Sequence, residues 1–411
     1  MKIRSITCFL DSGWPLDLEA LSCAGKFITT AVPAFETAGY EVQTCRLATP
    51  SFARLLKMLE AEQAVEFAVT LERAARAHGY SYVSLGPALP DVSASYAVIP
   101  QVIAATQDVF LSGMLTTPGG GIPLPAVQLC AEVIERIAGI EPNGFANLRF
   151  AALANVPPGS PFFPAAYFDP GRMGEGLGFA LATEAADLAV EAFSGATSLE
   201  QARQALVMAV ENHAAELAGV AASLARRFEI NFTGIDFTLA PFPQESLSIG
   251  AAMERLGLPA VGWHGSLAAT AILTDTLDRA EFRRAGFSGI FHPVLEDSVL
   301  ATRAAQGTLT VKDLLLYSAV CGTGLDTVPL PGDASPEQIA ALLLDVSALA
   351  LRLNKPLIAR LMPIPGKKAG DPTDFNFSYF APGAVMALRA APLTGLLAGK
   401  ENISIKARGR Y

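Results

Sequence analysis

The chain has 411 residues, of which 51% are apolar and 17% charged, with a formal net charge of −9. That length holds two or three average domains or one large α/β unit, and the apolar share supplies a large core under a weakly charged surface. The acidic balance and the lack of any lysine and arginine block argue against nucleic acid or an anionic membrane as the main partner, leaving small molecules and proteins.

Along the chain, short apolar strands alternate with long amphipathic helices. "IRSITCFLD" leads to a helix over 16–37, "YEVQTCRLA" to one over 52–78, and "YSYVSLG" to one near 96–106. "DVFLSGML" leads through a Gly-Pro loop to a helix over 126–137, and "LRFAALANV" closes this half. A long helix over 198–227 precedes the strand "FTGIDFTLA". Helices near 246–256, 266–278, 311–320 and 336–353 follow, separated by apolar pieces such as "GIFHPVL" and "PLIARLM". Such alternation implies parallel pairing and a sheet covered by helices. With no fixed-period repeat and no low-complexity linker, a single α/β domain over 1–411 is expected, in approximate halves 1–182 and 183–411.

The start, "MKIRSITCFLD", meets Asp11 too early for a signal peptide, and "PGGGIP" interrupts the longest uncharged stretch, 109–131, so no membrane span is expected. Five cysteines, Cys8, Cys23, Cys45, Cys130 and Cys321, include no Cys-x-x-Cys pair, which suits reduced thiols in a cytoplasm.

The segment 155–182, "NVPPGSPFFPAAYFDPGRMGEGLGFALA", is too rich in proline, glycine and aromatic residues for a helix or strand. Proline fixes φ and glycine allows tight turns, so such a loop either holds a shape over a ligand cavity or plugs one end of the core. Asn155 and Ser160 are its candidate ligand contacts. Its glycines precede the strand-like "FALA" instead of opening a helix, which speaks against a phosphate-binding loop.

The four histidines, His78, His213, His264 and His292, show no metal-ligand spacing. His264 lies between glycines before a helix with Ser266 as candidate N-cap, a place for an acid–base group or a structural histidine. His292 sits among apolar residues and suits packing, while Glu296 and Asp297 begin a helix. Asp236 and Asp326 stand in apolar strands, where a carboxylate is hydrogen-bonded, paired or shifted in pKa, as at catalytic sites. Cys321 is beside a glycine turn and is either a reactive thiol or an inert buried one. Arg360, Lys367 and Lys368 lie within nine positions around Pro363, Pro365, Gly366 and Gly370, a candidate anion site unless Asp371 and Asp374 neutralise it.

The segments "NVPPGSPFFPAAY", "GIDFTLAP", "LEDSVL", "VCGTGLDTVPLPGD" and "RLMPIPGKKAGD" together resemble the family of domain of unknown function 711, whose members are often described as pyruvate formate-lyase-like. The resemblance runs from "IRSIT" to the Lys-Lys loop. It implies an α/β fold with a single barrel of about ten strands ringed by helices, similar to the glycyl radical enzymes. The terminal "KARGRY" separates Gly409 from Tyr411 by Arg410, with no following segment in the sequence to form a radical loop, so no radical glycine and no radical partner for Cys321 are expected.

The expected function is a non-radical lyase, isomerase or hydrolase acting on a small anionic metabolite inside the barrel. Asp236, Asp326, Cys321 and His264 are its catalytic candidates, and Asn155, Ser160, Arg360, Lys367 and Lys368 would bind the substrate. The alternative is a non-catalytic sensor or binding protein using the same pocket. No cofactor is indicated, although aspartates and Glu296 leave a divalent cation open. The weakly charged surface favours a homo-oligomer, a dimer first.

Overall fold

The computed structural model describes residues 1–56 and 59–408, so Gly409 and Tyr411 of the terminal motif lie outside the described residues. The described strands are β1 (Lys2–Phe9), β2 (Cys45–Ala48), β3 (Tyr82–Ala88), β4 (Val109–Met114), β5 (Gly121–Pro123), β6 (Phe150–Ala154), β7 (Gly178–Glu184), β8 (Asn231–Asp236), β9 (Gly324–Pro331), β10 (Leu357–Ile364) and β11 (Asn402–Ser404). Nine form one sheet in the order β8-β7-β1-β2-β3-β4-β6-β10-β9, and β5 pairs separately with β11. Strands β1, β2, β3, β4 and β6 run parallel. β7 and β10 lie antiparallel against β1 and β6, and each has a parallel outer neighbour, β8 and β9.

The expected α/β class is therefore present as a large, mostly parallel sheet with helices. The expected cylinder of about ten strands is not: among the described residues the edge strands β8 and β9 do not pair with each other. Residues 283–294 run between them. On one side the Ile235 N–H donates to the Arg283 carbonyl (2.8 Å) and the Leu239 N–H to that of Gly289 (3.2 Å). On the other, the Val294 N–H donates to the Asp326 carbonyl (3.2 Å). Only isolated bridges form, Ile235 with Arg284 and Pro293 with Asp326. The segment is irregular because Pro293 lacks a donor, while Gly286 (φ 58°) and Ser288 (φ 39°) leave the extended region.

Helices fall near their expected positions. Asp17 caps Leu18–Thr37 by accepting from the N–H groups of Glu19 and Ala20, and a Ser335/Gln338 capping box starts Pro336–Leu353. The expected helix over 52–78 is instead two, Phe52–Leu55 and Ala61–Ala77, with Leu56 extended at ψ 124°. Among the described residues no helix is long and apolar enough to cross a membrane.

Alternation along the strands divides the sheet into two faces. Ile6, Cys8 and Leu47 pack with helix residues such as Leu21 and Phe27 in the main core. Phe9, Ala48, Phe110 and Ala180 face the other way, where loop residues Phe163, Ala166 and Phe168 cover them. Inner hydroxyls hold that loop: Thr7 donates to the Pro161 carbonyl (3.2 Å) and Ser84 to that of Ala166 (2.6 Å). The proline-rich segment thus finds its backbone partners on the sheet instead of in a ladder of its own.

Gly234 in β8 has φ 142°, and a Cβ there would lie 2.7 Å from the Arg283 carbonyl oxygen and 2.8 Å from that of Arg284. Gly234→Val is expected to lower stability by about 3 kcal/mol in urea denaturation, because it pushes the edge segment off β8. A loss below about 1 kcal/mol would show that this close approach is dispensable.

Candidate functional site

Each strand contributing to the site carries a charged or polar residue at an otherwise apolar inner position. Arg4 in β1 and Arg46 in β2 stand near the starts of their strands, and Glu184 and Asp236 end β7 and β8. Asp326 and Arg360 come from the neighbouring strands β9 and β10, and Glu296 from the turn before the helix Ser298–Ala305. Because β7 and β8 run opposite to β1 and β2, strand ends and strand starts meet at one end of the sheet.

There the charges form a chain. Arg4 donates to Glu296 and lies 3.7 Å from Glu184. Arg360 donates through Nη2 to Glu296 (2.9 Å) and through Nε to Asp326 (2.6 Å). Glu296 thereby bridges two guanidinium groups. Burial alone would raise its pKa, but Arg4 and Arg360 outweigh that and hold it below the ordinary carboxylate range. Asp326 and Glu184 are raised, in each case chiefly by burial that Arg360 or Arg4 only partly offsets.

Arg46 differs from the other two arginines. It is 9% exposed, and among the described residues it has no carboxylate within ion-pair distance. Its Nε donates to Thr44 Oγ1 (3.0 Å), and its guanidinium lies 5.3 Å from the Phe163 ring centre and 5.9 Å from that of Tyr82. Burial, helped by the like charges of Arg4 and Arg360, pulls its pKa down to about 9, still well above neutrality. A buried cation without a counter-ion is costly unless something supplies one.

Arg4, Arg46, Glu296 and Arg360 line a cleft with about 610 Å³ of space between atoms, part of it open to solvent. Tyr82, Phe110, Phe162 and Phe163 form its walls, and Phe377 and Tyr379 of the C-terminal segment stand at it, anchored by the Ala381 N–H on the Leu295 carbonyl (2.7 Å). A smaller pocket, with about 360 Å³ of space between atoms that includes open solvent, shares Arg4, Arg46, Phe162 and Glu296 with the cleft and adds Asp236, Asp326 and Thr238. Asp236 accepts from Thr238 Oγ1 (2.6 Å) and from the N–H groups of Ser288 (2.6 Å) and Phe287 (3.1 Å). Burial still pushes it up to about 6. Among the described residues no group of three or more His, Cys, Asp or Glu side chains is placed to hold a metal ion.

Of the residues singled out from the sequence, Asp236, Asp326 and Arg360 therefore converge. The others are elsewhere. His264 is exposed beside Trp263 and lines neither cavity. Asn155, at φ 55°, follows β6 at the opposite end of the sheet, where its N–H donates to Thr116 Oγ1 (2.8 Å). Cys321 is buried at that same end, just before β9, and its carbonyl accepts from the Lys355 ammonium. Ser160 is buried in the inner loop and accepts from the Phe162 N–H (3.3 Å). Lys367 and Lys368 leave β10 at the cleft's end without lining it, and Asp371 accepts from the Lys368 N–H (2.7 Å). His292, buried against Tyr317, is pulled down to about 4 by burial.

Sequence reading missed Arg4, Arg46 and Glu184, and read Glu296 as a helix-starting residue. Asp297 is the cap, accepting from the N–H groups of Val299 and Leu300, and Glu296 turns inward. The signal was available: "CRLA" and "GFALATE" each place one charge in an apolar strand, as "NFTGID" does, and "KIRSITCF" places Arg4 inside one that begins with Lys2.

The profile of the family described as "Uncharacterised ACR (DUF711)" matches residues 1–377. A UPF0210 protein of Pyrobaculum arsenaticum is 33% identical over 366 residues, covering 85% of this chain and 80% of the relative. A UPF0210 protein of Neisseria meningitidis serogroup B is 29% identical over 369 residues, covering 87% and 81%. The chain belongs to the DUF711 family.

Asp236 makes stability depend on pH with a defined sign. Its folded pKa of about 6 exceeds the ordinary 3.8, so the folded state holds this proton more tightly than the unfolded chain. The stabilisation is complete below about pH 4 and is lost as pH rises through about 6, a change of about 3 kcal/mol. Urea denaturation from pH 4 to 7 is expected to show wild type losing about that much more stability than Asp236→Asn. Parallel curves for the two proteins would contradict the assignment.

Proposed function

We propose that this DUF711 protein is an enzyme that binds a small anionic metabolite in the arginine-lined cleft and performs non-radical proton-transfer chemistry on it. The observation that carries the reading is Arg46, a buried cation with no carboxylate partner among the described residues, turned toward an aromatic-walled space. Arg4 and Arg360 are already neutralised by Glu184, Glu296 and Asp326, so an incoming anion would complete the charge pattern at Arg46. Asp236, beyond the shared wall, is the proton donor and acceptor in this reading, because a carboxyl near pKa 6 exchanges protons readily close to neutrality. Asp326 is held by Arg360 and shapes the field.

The same reading leaves Cys321 and His264 outside the chemistry, since neither lines the cleft or the smaller pocket. It treats 283–294 as standing in a tenth strand's place, so that the inner face behaves as the inside of a cylinder. A cytoplasmic setting suits the five free thiols, and the exposed Leu396 and Leu397 suit a dimer.

The test uses purified full-length protein in D₂O with a panel of small carboxylic acids and phosphate esters, followed by NMR for deuterium incorporation or conversion. Wild type is expected to act on at least one, with Asp236→Asn slowed 100-fold or more and binding changed only a few-fold. Equal turnover by Asp236→Asn would remove it from the chemistry. Binding without any turnover across the panel would favour a sensor.

A further inference from the structure

We infer that the ligand of this cleft is a monocarboxylate with a planar or apolar body, and not a phosphate ester or a dicarboxylate. The inference rests on the anion-binding reading above and narrows its chemistry.

The first support is the count of available charges. Three guanidinium groups meet at the cleft, but Arg4 and Arg360 are held by Glu184, Glu296 and Asp326. By number the three guanidinium groups face three carboxylates, but among the described residues Arg46 has no carboxylate within ion-pair distance, so it is the guanidinium a ligand can pair with. A dianionic phosphate would bring a second negative charge into a space already lined by Glu296, with no lysine among the described residues that line the cleft. A second carboxylate would meet the same repulsion, which a low-dielectric site amplifies.

The second is the orientation of Arg46. Its guanidinium packs near the Phe163 and Tyr82 rings, and its Nε is committed to Thr44. What stays available is the edge carrying the two terminal nitrogens. A carboxylate accepts two parallel N–H bonds from such an edge, in the plane of the guanidinium.

The third is the lining beyond the charges. Phe110, Phe162 and Phe377 offer ring faces and edges, and the uncharged polar groups among the described lining residues are Gln43, Thr44 and the hydroxyls of Tyr82 and Tyr379. A phosphate site is ordinarily built from several amides at a helix start or glycine turn. Here the walls reward an apolar body, since removing apolar surface from water is favourable. The titratable groups facing the site from the surrounding strands and loops are, among the described residues, Arg4, Arg46, Arg360, Glu296, Tyr82 and Tyr379, with Asp236 and Asp326 behind the shared wall.

Isothermal titration of the full-length protein at pH 7 with benzoate, succinate and inorganic phosphate decides the matter. Benzoate is expected to bind at least tenfold more tightly than the other two. Arg46→Met and the charge-keeping Arg46→Lys should each weaken it tenfold or more, the latter because an ammonium cannot replace the fork. Saturation-transfer NMR should show the benzoate ring protons receiving magnetisation in wild type and not in Arg46→Met. Tighter, Arg46-dependent binding of succinate or phosphate would overturn the ligand class while leaving the anion site standing. Failure of all three probes to bind, or binding indifferent to both Arg46 variants, would overturn both readings. Should Arg46→Met not fold, Arg46→Lys and Phe163→Leu carry the test, the latter expected to weaken benzoate at least threefold and phosphate not at all.

Discussion

Charge balance on the inner face of the sheet is the constraint around which this protein is built. Moving an ion from water into a protein interior costs several kcal/mol even after relaxation, and three arginines carry that cost here. The fold meets it with carboxylates delivered from separate elements: Glu184 from β7, Asp326 from β9, and Glu296 from a turn. Glu296 is the hinge of the arrangement, since each of its oxygens takes a different guanidinium. Removing it would leave Arg4 and Arg360 short of a partner together. Arg46 stands outside this compensation and owes its tolerance to ring contacts and to contact with the cleft.

Two irregular stretches make the arrangement possible. The proline-rich loop after β6 crosses the inner face, uses Thr7 and Ser84 as partners for its carbonyls, and brings Phe162 and Phe163 to the arginines. The residues with which this loop fills the inner face also wall the cavity. The second stretch, 283–294, lies between the sheet edges and supplies the Phe287 and Ser288 amides that hold Asp236. Gly286 allows that approach, as a Cβ there would lie 2.1 Å from the Asp236 carboxylate. Local backbone irregularity thus does what a regular strand would not: it aims two successive amides at one carboxylate.

Much of the secondary structure was legible because periodicity is a local property. The helices Ser266–Asp278 and Pro336–Leu353 were read to the residue, and strands alternating with helices pointed correctly to parallel pairing. The antiparallel seams at β7 and β10 were not legible, since strand direction depends on where a long loop carries the chain. In the site, Asp236 and Asp326 stood out as lone charges in apolar strands. Arg4 and Arg46 carried the same signal, and the search for buried carboxylates passed over buried cations. The Lys367 and Lys368 pair was conspicuous in sequence because it is local, yet neither lysine lines the cleft.

The linear order of residues settles which segments bury apolar faces, where helices are capped, and that several ionisable groups must lie inside, because each follows from neighbours a few positions apart. Which of those groups meet is a different matter. Arg4 and Glu184 are more than a hundred residues apart, as are Glu184 and Glu296, and Glu296 and Arg360 are 64 positions apart. Only the reversal of β7 and β10 against the central strands brings their ends to one place. The cleft, the sharing of Glu296 and the lack of a carboxylate partner for Arg46 among the described residues are products of that topology, since electrostatics acts across space and takes no account of distance along the chain.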